Sequence, residues 1–240
     1  QTCALPIFTA KTRPTIPLTP GPGGTARADT LAAASTVHVG YGVVETTAGA
    51  APYGTAVFSL SQDGAIVTEA AVPASPPVMA ARLFVEVANK VPAGPARLAA
   101  GPVDISTGLS LVNAGEIAAG ITLTLRDSAG TTLATGTGSL PPGAHRARMI
   151  DQLADLTPDF LLPSNFAVTR FGTLEVRATQ PISVLALRLT VNQKGNTLLT
   201  TVPVADMDAS ASGSSLYFPQ VADGEGYTTS FVLKIGRAHV

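Results

Sequence analysis

Tryptophan is absent from this 240-residue sequence, cysteine occurs once, histidine three times, and only 13% of residues are charged. Each scarcity closes a class of function. One cysteine cannot supply a disulfide framework, a thiolate zinc site or a CxxC redox pair. A net charge of −1, with no run of lysine or arginine, offers nothing to neutralise a phosphate backbone, so no nucleic-acid partner is expected. With eight phenylalanines and four tyrosines, the ring platforms on which sugars stack are few. Apolar runs fall far short of the roughly 18–20 residues that a membrane helix needs, so no membrane span is expected in this window.

The lone cysteine sits in an odd place. Residues 1–7, "QTCALPI", and residues 235–240, "IGRAHV", match the two translated strands of a common sequencing adapter. Such stretches are set aside before fold reasoning, as tags are. The expectation is an internal fragment of a longer reading frame assembled from environmental DNA, with 1–8 and 235–240 as adapter-like ends. Cys3 and His239 then drop out of any chemistry, leaving His38 and His145.

What remains is rich in β-branched residues and turn formers, including 23 glycines and 19 prolines. This composition predicts an all-β fold with a Thr/Ser-coated exterior. Residues 9–38 are dense in Pro, Thr and Gly and read as a linker. Beyond them the period becomes two. In "GTAVFSLSQDG", Ala56, Phe58 and Leu60 share one face before an Asp-Gly turn. In "GITLTLRDSAG", Ile121, Leu123 and Leu125 point inward before the turn at Asp127. In "PISVLALRLTVNQKG", Leu185, Leu187 and Leu189 are assigned inward, before the turn at Asn192. One short helix is predicted near 147–157, where Met149, Ile150, Leu153 and Leu156 form a stripe that Pro158 ends. It reads as a plug for one end of the core.

The sequence also repeats. The stretch from Gly40 aligns with that from Gly172: Pro52 matches Pro181, Gly64 matches Gly195, and Val72-Pro73 matches Val202-Pro203. "RLFVEVA" and "STGLSLVN" are echoed by "SLYFPQVA" and "TTSFVLK". The spacing, about 120–135 residues, is that of one β-sandwich domain. The expected organisation is the last strands of one copy at 39–75, a complete copy at 82–208 and the first strands of another at 214–234. On "YGTAVFSLSQDGAIVTEAAVPASPP", "DISTGLSLVNAG", "PSNF", "GTLEVRATQPISVLALRLT" and above all "LYFPQVADGEGYTT", the chain resembles a family of tandem repeats in large secreted or surface proteins of bacteria. The resemblance implies immunoglobulin-like antiparallel β-sandwiches outside the cell. It brings no catalytic residues with it.

Candidate chemistry is sparse. His145 lacks a serine-nucleophile elbow or a nearby metal partner and reads as a surface or capping residue; His38 stands alone. Asp63, Asp127 and Asp223 sit beside Gly or Ser, where carboxylates hold turns through local amides. No alternating acidic calcium loop is present. Asp151, Asp155 and Asp159 share the helical stretch, and the first two invite comparison with a glycosidase carboxylate pair; a solvated helix face is the simpler reading. "GTGSLPPG" lacks the lysine of a phosphate loop and reads as a turn. "VADGEGYTT" reads as a surface connection of variable length.

No catalytic, cofactor or metal residues are therefore assigned, and the chain is not expected to be an enzyme. The expected role is an extracellular spacer or adhesive module of an exported protein, partnered by neighbouring repeats. The alternative is an accessory module for carbohydrate or extracellular matrix, attached to a secreted hydrolase.

Overall fold

The computed structural model describes residues 3–6, 15–21, 23–30, 35–47, 49, 52–92, 102–164, 166, 169–210 and 215–233. Within them the chain is all-β, with antiparallel pairing and one short 3₁₀ turn. Two small sheets come first. Strand β1 (Cys3–Pro6) pairs with β2 (Thr15–Leu18) and β3 (Glu45–Thr46). Strands β4 (Thr55–Gln62) and β5 (Ala65–Pro73) form a hairpin. The main sheet holds β6 (Val78–Pro92), β7 (Pro102–Val112), β8 (Ala119–Asp127), β9 (Thr132–Leu140), β10 (His145–Met149), β11 (Thr169–Val191), β12 (Thr197–Val202) and β13 (Val204–Asp206).

Strand β11 organises that sheet because it is long enough to serve two sets of neighbours. Its first half lies between β6 and β8, with Leu174 opposite both Leu83 and Leu125. Its second half lies between β7 and β12, with Ala186 opposite Leu109 and Val202. The β6 register shifts between Arg177 and Ile182, where the strand passes from one set to the other. Bulges of this kind bend and twist a sheet. Ser75 supports the crossing: its hydroxyl donates to the Val184 carbonyl at 2.8 Å, and the Ser183 hydroxyl donates to the Ser75 carbonyl at 2.8 Å.

Both halves feed one buried cluster. Leu83, Val85, Leu111, Ile121, Leu123, Leu125, Leu174, Val176, Ile182 and Val184 meet in it. Alternation puts these side chains on one face of each strand. Ile121, Leu123 and Leu125 point inward as the sequence predicts. The phase of β11 is a correction. Ile182, Val184 and Ala186 face the core, and Leu185, Leu187 and Leu189 are on the other, half-buried face. A strand apolar on both faces gives periodicity no preferred phase, and here the small Ala186 fits against Leu109.

The predicted helix is shorter and of another kind. Residues 145–149 are strand, because His145 to Met149 pair with Val112 to Gly108. Only Ile150–Asp155 turns, as 3₁₀ helix. Ile150, Leu153 and Leu156 recur every third residue, which is the 3₁₀ period, and all three enter the core. The plug crosses β9 where that strand is reduced to Gly136 and Gly138, and Thr157 closes it by donating its hydroxyl to the Leu153 carbonyl at 3.1 Å.

The turns are built as their residues predict. Asp63 and Gly64 take positive φ of 51° and 78° between β4 and β5. At Asp127, Oδ1 accepts from the amides of Ala129 and Thr131, each at 2.9 Å. At Asn192, Oδ1 accepts from Lys194 and Asn196, again at 2.9 Å. Asn113, fully buried, ties the β7–β8 loop to the end of β9 by donating to the Ile117 and Leu140 carbonyls and accepting from the Gly115 amide.

Outside the core, apolar side chains are left in the open. Every residue of β4 is exposed, so the strand read as half-buried has neither face covered, while β5 buries Thr68 and Ala70 beside β12. The Thr68 hydroxyl accepts from the Leu199 amide at 3.2 Å. Residues 215–233 hold no strand, but they fold back as a hairpin: Gly224 bridges Tyr227, and the rings of Phe218 and Phe231 meet edge to face at 4.9 Å. Within the stretch read as linker, Thr15–Leu18 forms β2, an edge position that accommodates Pro17. Residues 235–240 and the side chains of 1–8 lie outside the described residues.

Two geometries recur along the chain. In the β4–β5 hairpin Ala56 faces Val72, and in the β11–β12 hairpin Ala186 faces Val202. The Thr107 hydroxyl both accepts from the Glu86 amide at 2.9 Å and donates to the Glu86 carbonyl at 3.0 Å. The Thr229 hydroxyl does the same with Ala222, at 3.1 and 2.7 Å.

Candidate functional site

His145 is the most distinctive side chain that the fold brings to a surface. It leads β10 directly after the turn at Pro141–Ala144, and pairing with β7 sets it diagonal to Ser110. Its Nε2 lies 3.0 Å from the Ser110 hydroxyl oxygen. The Tyr41 ring approaches to 6.4 Å, anchored by its hydroxyl donating to the Gly143 carbonyl at 3.3 Å. Val39, His145, Arg146, Ala147 and Arg148 line a shallow depression of about 440 Å³ there. The two arginines are tied back: Arg146 to the His145 carbonyl, Arg148 to the Ala147 carbonyl and to Asp155 at 2.8 Å.

Burial pushes the His145 imidazole below its usual value, and the Arg146 charge adds to that. A neutral ring beside a serine hydroxyl has the parts of a base and a nucleophile. Among the described residues no carboxylate is hydrogen-bonded to the ring to orient it. The chemistry available is therefore a hydroxyl–imidazole contact on an open surface. Because the fold favours the neutral ring, the unfolded chain binds a proton first as pH falls. Its stability contribution is present above the ordinary value of 6.5 and is lost as pH falls from there through the lower folded value. In chemical denaturation across about pH 5–8, His145→Gln is expected to flatten that slope. An unaltered slope refutes the assignment.

A second polar cluster lies on the face of β6 and β11 turned away from the core. Glu175, 8% exposed, accepts from Arg82 Nη2 and Arg177 Nε, each at 2.6 Å. Burial alone would raise the Glu175 carboxyl; hydrogen bonds and charge from Arg82 and Arg177 outweigh it and hold the group below its usual value. Arg82 Nε is buried without a hydrogen-bond partner. Alongside, Arg188 Nε bonds Glu86 at 2.9 Å. The Arg82–Glu175 and Arg188–Glu86 pairs join β6 to β11, whereas Arg177 braces Glu175 from two residues along the same strand.

The remaining residues named from sequence scatter. Asp127 holds its turn, Asp63 supplies the hairpin bend and Asp223 precedes the turn at Gly224. Asp155 is taken by Arg148, and Asp159 accepts from the Thr137 amide and hydroxyl at 2.7 and 3.0 Å, which lowers its pKa. Both aspartates thus serve local structure. His38 is exposed, near the Thr36 hydroxyl at 3.4 Å. Ser110 and Glu175 were missed by sequence reasoning. The signal for Glu175 was the alternation in "LEVRA" facing "ARL", charges interleaved with core residues; Ser110 carries no signal of its own. Among the described residues, no three His, Cys, Asp or Glu side chains gather where a metal ion would be held, and no helix is long and apolar enough to cross a membrane.

No protein-family model matches the sequence, and no curated protein does. A solved structure described as the crystal structure of Thermotoga maritima 1070 is similar over 52% of this chain and 95% of that one, at 12% identity and a TM-score of 0.33. A likeness at that level carries no argument about fold or function.

Proposed function

We propose that this chain is a structural module: an immunoglobulin-like β-sandwich, repeated in tandem, that serves as an extracellular spacer or adhesive element of a larger exported bacterial protein. One observation carries the reading. The Ala–Val pairing and the reciprocal threonine bond each occur twice, at the separation expected between copies of one domain. Repetition of a hairpin with its partners kept suits a stacked, load-bearing array better than a single site. Glu175 and Asp159 fit this too, since Arg82 ties the first across to β6 and Thr137 ties the second to β9.

The competing reading, an accessory binder, makes a different prediction. The purified chain is incubated with insoluble cellulose, chitin and peptidoglycan and with immobilised collagen and fibronectin. As a spacer it stays in the supernatant with every matrix at micromolar concentration. Saturable retention on one of them overturns the spacer reading in favour of the binder.

A further inference from the structure

We propose that β4 is a receiving edge for residues 228–233 of a second copy of this chain, in the register with which β11 receives β7. The proposal rests on the repeat reading above and adds a partner to it. Among the described residues β4 pairs with β5 alone, so its other edge is open. Edge strands are ordinarily protected by charge, proline or brevity. β4, "TAVFSLSQ", is eight residues long and has neither charge nor proline. The stretch "YTTSFVL" at 227–233 is equally uncharged, and Phe231, Val232 and Leu233 are more than half exposed.

The complete unit shows how such a pair fits. The shared Ala–Val pairing places β4 on the second half of β11, with Ala56 equivalent to Ala186. The shared threonine bond places 228–233 on β7, with Thr229 equivalent to Thr107. Within the unit those two elements pair antiparallel, Leu185 opposite Ser110 and Ala186 opposite Leu109. Carried over, Thr55 of one copy stands opposite Val232 of the next and Ala56 opposite Phe231. Strand addition of this type draws affinity from main-chain bonds and selectivity from alternate side chains. Here Phe231, the equivalent of core residue Leu109, takes the anchoring position.

The test uses the full chain in a Cys3→Ser background. Protein carrying Thr55→Cys is mixed with protein carrying Val232→Cys and oxidised gently. Directly opposed residues lie within about 5.5 Å, whereas the diagonal neighbour is about 7–8 Å away, beyond ordinary disulfide reach. The expected result is a mixed dimer several-fold more abundant than that from Thr55→Cys with Ser230→Cys. Equal yields overturn the proposal. So does a Thr55→Cys/Val232→Cys double variant that closes within one chain. In sedimentation, the unmodified chain is expected to associate with rising concentration. Val57→Pro is expected to abolish association without moving the thermal unfolding of the main sheet; a chain that stays monomeric throughout overturns the inference. A chimera with 55–73 replaced by the sequence of 185–203, a stretch of equal length, tests the repeat reading separately. If it unfolds as the parent does while cross-linking fails, the docking inference falls and the repeat reading stands. If it loses the hairpin as well, both fall.

Discussion

Gly138→Ala is expected to destabilise the chain by about 3 kcal/mol and to lower its melting temperature by roughly 10 °C. A methyl group at 138 would overlap the Leu156 carbonyl oxygen and crowd Thr157. Neither neighbour has room to yield. Thr157 is fully buried and holds the Leu153 carbonyl, and Leu153 itself is a core residue with no exposed surface. Relief would require lifting the 3₁₀ plug off β9, which exposes Ile150, Leu153 and Phe160 together. Gly54→Ala is the matched control, because nothing lies within 4 Å of a methyl there. Thermal unfolding of both variants checks the claim. Equal melting temperatures would mean that the plug does not seat against β9 as described.

The second large effect concerns Glu175. Glu175→Gln is expected to cost about 3–5 kcal/mol, because it leaves Arg82 charged, largely buried and without its carboxylate. Removing both charges, as Arg82→Met with Glu175→Leu, is expected to recover most of the loss, since an apolar pair no longer has ions to desolvate. The wild-type carboxylate also sets an acid limit. Its folded pKa lies below the ordinary value of 4.5, so its contribution is complete above that value and disappears as pH falls through the folded one. Chemical denaturation from neutral to acid pH should therefore show a drop that Glu175→Gln lacks. If the single variant is as stable as the parent, the charges are better solvated than their burial indicates.

Legibility differed from element to element for physical reasons. The all-β class and the turns at Asp63, Asp127 and Asn192 were readable because alternation and turn chemistry are local. So was the inward face of β8, where threonines alternate with large aliphatics. The same rule misplaced β11, since its Leu185–Leu187–Leu189 row is more hydrophobic than the Ile182–Val184–Ala186 row that the core accepts. Which row is buried depends on β6 and β7, strands roughly 70–105 positions away. The helix reading had the right apolar triplet and the wrong period, because residues three apart satisfy both helix types until pairing with β7 claims 145–149. Ser110 and Glu175 share the last difficulty. Each becomes notable through a cross-strand neighbour, and a single sequence does not display register.

The length of β11 has a consequence for synthesis. Strands β6, β7 and β8 all emerge from the ribosome before residues 169–191 exist, yet each finds a main partner in that one strand. Until then β6 holds β7 only near Ala88 and Val91, and β8 holds only β9. The apolar faces that later form the core are therefore solvated for most of translation, and closure is a late event that brings distant segments together at once. Such topologies fold slowly, and their half-made states attract chaperones.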